Sequence, residues 1–116
     1  MVLLFTKVAL AHGVPVVLVI YDTANSDTTT LCADLLDQNS DMSCSLSDTD
    51  ETGFDGTNPS LSSYDVVVHM TGTTTGDMPA AGQAALVSFV QGRGGYLHFE
   101  YAATEHDSGH YSSMRD

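Results

Sequence analysis

Two short apolar runs constrain the fold more than any other feature of this 116-residue chain. Pro15-Val-Val-Leu-Val-Ile-Tyr21 and Tyr64-Asp-Val-Val-Val-His-Met70 are rich in β-branched residues, and their apolar stretches are unbroken rather than alternating. A strand with one wet face alternates polar and apolar side chains. An unbroken run fits a strand covered on both faces, as in a parallel sheet flanked by helices.

The segments between and after these runs supply the helices. Asp22 to Thr30 is polar, and Leu31, Cys32, Leu35 and Leu36 then recur at helical spacing, with Asn25 or Ser26 as N-cap and Asn39 as a stop. Met42, Cys44 and Leu46 alternate with serines, which predicts a short edge strand. Ser47 to Ser63 reads as a loop anchored by Phe54 and Leu61. After the second run, the loop Thr71 to Asp77 leads to a helix with Pro79 in its first turn. Its apolar stripe is Met78, Ala81, Gly82, Ala85, Leu86, Phe89 and Val90, and Gly92, Gly94 and Gly95 end it. A fourth strand is predicted over 96–102, with Leu97, Phe99 and Tyr101 on one face and Tyr96, His98 and Glu100 on the other.

Strands alternating with helices imply right-handed crossovers. The expected architecture is an α/β domain: an open, mainly parallel, flavodoxin-like three-layer sandwich of about four strands in the order 2-1-3-4. Residues 1–14 read as an N-terminal extension or weak signal-like segment, 15–104 as the α/β domain, and 105–116 as a polar tail continuing into a missing C-terminal part.

Charge narrows the partners. Fifteen acidic residues oppose three basic ones, for a formal net charge of −12. Nucleic acid is excluded as a partner, because phosphate binding needs clustered cations. No run is long enough for a membrane span. Solubility in a salty or extracellular setting accounts for the acidic excess, and an extracellular or periplasmic location is the expectation, with cytoplasmic as the alternative. Cys32 and Cys44 read either as a disulfide, which fits export, or as two buried thiols.

From Leu61 onward the sequence resembles the class I glutamine amidotransferase-like superfamily, in particular its ThuA-like (trehalose utilisation) branch. The resemblance rests on Leu61-Ser-Ser-Tyr-Asp-Val-Val-Val68, on Gln83-Ala-Ala-Leu-Val-Ser-Phe-Val90, and on Gly94-Gly-Tyr-Leu-His-Phe-Glu-Tyr-Ala-Ala103. It implies a nucleophilic Cys at the turn after the fourth strand, but both cysteines lie far upstream, and Tyr101 stands where the branch's signature has His. Glutamine hydrolysis by the usual triad is therefore not expected, since neither Glu100 nor Tyr101 replaces a thiolate. The resemblance implies a binding or accessory module of an exported bacterial-type protein, taking a small polar molecule or carbohydrate. An alternative is a hydrolase or other enzyme on such a substrate, with Glu100 as acid or base and Tyr101 beside it.

Ligands of parallel α/β sheets sit beyond the carboxyl ends of the strands, which selects Asp22, Thr23, Thr71, Gly72, Thr73 and Thr74 as candidate binding residues. The same loops could hold FMN, although the first has no glycine and Asp22 and Asp27 repel a phosphate. No cofactor is expected; FMN and a divalent metal are the alternatives. For a metal, His98, His106 and His110 are the candidate ligands. Asp48-Thr-Asp-Glu-Thr-Gly53 matches the opening of a calcium loop, but Pro59 occupies the twelfth position, so an acidic solvated loop is expected. His69, mid-strand, reads as a hydrogen-bonded core or rim histidine.

Overall fold

The computed structural model describes residues 13–22, 26–38, 41–70, 76–98, 109 and 111–114. In chain order they form β1 (Val16–Tyr21), α1 (Ser26–Gln38), β2 (Ser43–Leu46), a 3-10 turn at Leu61–Ser63, β3 (Val66–Met70), α2 (Ala80–Gln91), β4 (Gly95–His98) and a last 3-10 turn at Ser112–Met114. The four strands make one open sheet in the order β2-β1-β3-β4. Every pairing is parallel, with Leu18 beside Val67 and His69 beside His98. This is the α/β architecture expected from the two apolar runs.

Period-two geometry divides each run between two cores. Leu18, Ile20 and Val67 pack with Leu86 of α2, and with Phe54, Leu61, Met78 and Tyr111. Val17, Val19 and Val68 face the other way, against Leu31 and Cys32 of α1 and against Cys44 and Leu46 of β2. Burying each such aliphatic side chain contributes roughly 1.5–3 kcal/mol, so the central strands carry most of the hydrophobic stabilisation. A disulfide between Cys32 and Cys44, whose Cα atoms are 5.4 Å apart, ties α1 to β2 at one edge. Asp65 stitches the amino ends of three strands: its carboxylate accepts from the Val16 amide, its amide donates to the Val16 carbonyl, and its carbonyl accepts from the Gly95 amide.

Two features of α2 differ from the sequence reading. Pro79 is the N-cap, with the helix beginning at Ala80, because the ring fixes an extended approach to the first turn. Ala81 and Val90 are exposed, while Gln83 is buried. The stripe is rotated because Gly82 is pressed against the 54–56 loop. A Cβ on Gly82 would lie 2.1 Å from the Phe54 carbonyl oxygen. Gly56, at φ +88°, turns the loop on its side of that contact, where a Cβ would meet Ala85 at 2.5 Å.

The described part of β4 ends at His98. Phe99 and the residues that follow it in the predicted strand lie outside the described residues. Tyr96 packs on the α2 side, whereas Leu97, on the α1 side, is 59% exposed because α1 lies over β1 and β2. Among the described residues no helix is long and apolar enough to cross a membrane.

Candidate functional site

The strand order reverses between β1 and β3, and the crevice beyond their carboxyl ends is where such sheets hold ligands. After β2 the chain crosses this end of the sheet. The Ser47 amide donates to the Val19 carbonyl at 2.9 Å, and the Glu51 amide donates to the Tyr21 carbonyl at 2.7 Å. These two bonds place Glu51 at the end of β1, with its side chain turned inward and fully buried.

Glu51 meets a chain of polar groups there. Its Oε2 lies 2.6 Å from His69 Nε2 and accepts from the Tyr111 hydroxyl at 2.6 Å. His69 Nδ1 lies 2.8 Å from the Tyr96 hydroxyl. With Glu51 ionised, one arrangement satisfies the series: Tyr96 O–H donates to Nδ1, and Nε2–H donates to the carboxylate. Adding one proton, on Glu51, keeps both bonds with both donors reversed: the carboxyl donates to Nε2, and the tautomer carrying hydrogen on Nδ1 donates to the Tyr96 oxygen. The His98 ring stacks on His69, with centroids 4.7 Å apart and planes within 7°. Tyr111 stands edge-on to His69 at 5.6 Å.

Electrostatics make Glu51 the unusual member. Burial pushes its carboxyl up from 4.5 to about 7; the Tyr111 hydroxyl works against this, and the negative charges of Asp22, Asp50 and Asp77 add to it. Its other oxygen, Oε1, is buried and has no hydrogen-bond partner among the described residues. Tyr96 is raised well above the ordinary phenol range by burial and then by the Glu51 charge. A buried carboxyl poised near neutrality beside a histidine can hold or release one proton without solvent contact.

The rest of the acidic loop ties itself together. Asp50 Oδ1 accepts from the Thr52 hydroxyl and the Gly53 amide, and Asp55 Oδ1 accepts from the Thr57 amide and hydroxyl. Asn58 braces the loop by donating to the Gly53 carbonyl and accepting from the Asp55 amide. Thus Asp50, which a calcium loop would turn toward a central ion, serves with Asp55 as a turn cap, and Glu51 leaves the loop for the interior.

Of the candidate residues read from sequence, Asp22 is buried at the end of β1, with its amide donating to the Met70 carbonyl at 3.0 Å. His98 is stacked in the cluster just described. Thr23, Thr71, Gly72, Thr73, Thr74, Glu100, Tyr101, His106 and His110 lie outside the described residues. Among the described residues no three His, Cys, Asp or Glu side chains gather into a metal-binding set. Sequence reasoning missed Glu51, Gln83 and Tyr111. Only His69, Tyr96 and His98 carried a signal, since they occupy inward positions of adjacent strands in matched register.

Cavities among the described residues lie at both ends of the sheet. One of about 520 Å³ opens at the amino ends of the strands, beside Pro15, Tyr64, Asp65 and Arg93. Another, about 340 Å³, is lined by Leu86, Val90, Gln91, Tyr96, His98 and Met114. Although smaller, the second adjoins the polar cluster at the carboxyl end of β4, so the chemistry favours it. No protein-family model, curated protein or solved structure matches the chain.

Proposed function

We propose that the chain is a binding or accessory domain of the amidotransferase-like kind, similar to the ThuA-like branch, that performs no glutaminase chemistry. It takes a small polar molecule or carbohydrate at the carboxyl ends of β1, β3 and β4. One observation carries this reading: the only two cysteines are bonded to each other between α1 and β2, on the far edge from β4. Glutaminase chemistry of this kind needs a free thiolate. What stands at the favoured end of the sheet instead is a set of hydroxyls, imidazoles and carboxylates, suited to hydrogen-bonding a polyhydroxylated ligand.

The test pairs an assay with a binding measurement. Incubation with glutamine should release no ammonia, and calorimetry against a panel of mono- and disaccharides should detect binding that Asp22→Asn weakens. Ammonia release abolished by thiol alkylation would overturn the first half, and absence of heat with every saccharide the second.

A further inference from the structure

The segment Tyr111–Met114 is held against the body by donors entering acceptors. The Tyr111 hydroxyl donates to Glu51, the Tyr111 amide to Asp77 Oδ1 at 3.1 Å, and the Ser113 amide to Gln83 Oε1 at 3.1 Å. Gln83 is itself pinned, its amide group donating to Asp77 Oδ1 and to the Met78 carbonyl. Tyr111 is fully buried, yet its φ is +54°, a left-handed conformation that non-glycine residues rarely adopt. The seat therefore holds the segment against its own backbone preference. Its deepest contact is with Glu51, the buried carboxyl hydrogen-bonded to His69.

We propose that Tyr111–Met114 is a proton-controlled plug, seated while the Glu51–His69 pair carries an extra proton and loosened when that proton leaves. Undocking the phenol gives up one hydrogen bond that favours the carboxylate, but it lets water reach Glu51 Oε2 and so relieves the larger effect of burial. Among the described residues, the elements packed around Glu51 present these titratable groups: Asp22 after β1, Asp50 in its own loop, His69 on β3, Tyr96 on β4, Asp77 before α2, and Tyr111 of the plug, with His98 behind His69. The three aspartates oppose a negative charge on Glu51, so they act in the same direction as burial.

The direction of the effect follows from linkage. The seated state holds the proton with a value near 7, against an ordinary 4.5 for an exposed carboxyl. The plug's advantage is therefore greatest at low pH, falls as pH rises toward 7, and changes no further well above it. This inference goes beyond the proposed ligand and does not depend on it.

Amide hydrogen exchange, expressed as protection factors so that the intrinsic pH dependence is removed, tests the plug. Between pH 5 and pH 7 protection at the Tyr111 and Ser113 amides should fall by up to about fortyfold, the limit set by a carboxyl moving between about 7 and 4.5. The Val68 amide in the sheet should lose much less. In Glu51→Gln, which cannot titrate, protection at both plug amides should stay level. Constant protection in the wild-type chain, or an equal fall at Val68, overturns the proposal even if the variant does not fold, as does a parallel fall in a folded Glu51→Gln.

Discussion

His69 links the Tyr96 phenol to the Glu51 carboxyl, and the bonds it makes determine what its loss would do. A buried polar group left without a partner costs more than the bond itself contributed, because the desolvation remains. Replacing His69 with Phe keeps the ring but takes the His69 partner from both Glu51, which retains only the Tyr111 bond, and the Tyr96 hydroxyl. We expect His69→Phe to destabilise the fold by about 3 kcal/mol in urea unfolding at pH 7. Tyr96→Phe, which removes only the outer hydroxyl, should cost about 1 kcal/mol. Equal losses would mean that the His69–Glu51 contact adds nothing beyond the His69–Tyr96 bond.

At the scale of elements, the contact between α2 and the loop before the Leu61–Ser63 turn sets the rotation of the helix. Alanine is a better helix former than glycine by about 1 kcal/mol, so an exposed Gly→Ala change would stabilise α2. At Gly82 the added methyl meets the Phe54 carbonyl, and the loop carrying Glu51 has to shift. Gly82→Ala should therefore destabilise by about 2 kcal/mol or more by thermal unfolding, and a gain in stability would contradict the packing described. This contact also explains what the sequence could and could not reveal. Val16–Tyr21 and Val66–Met70 were legible as buried strands because continuous β-branched runs have few other homes, and the short β2 followed from Met42, Cys44 and Leu46. The burial of Gln83 and the exposure of Ala81 and Val90 were not, since they depend on a backbone carbonyl brought in from a distant loop. Glu51 was equally hidden. One acid among four in the stretch from Asp48 to Asp55 has no periodicity to betray that it turns inward.

Considered whole, the molecule divides its cross-links by location. The disulfide secures β2 and α1, Asp65 secures the amino ends of the strands, and the polar cluster secures their carboxyl ends. Tyr111, from the segment expected to be a solvated tail, completes that last group. In a chain of net charge −12, a buried carboxyl ringed by three aspartates is a local excess of like charge that protonation relieves. The account stands on this enclosure of Glu51 beneath the carboxyl end of the sheet. Carbon-detected NMR of the Glu51 side-chain carboxyl across a pH titration tests it most directly. A midpoint near 7, absent from the spectra of Glu51→Gln, is the predicted result. A midpoint at the ordinary value of 4.5 would contradict it, because Glu51 would then be in contact with water.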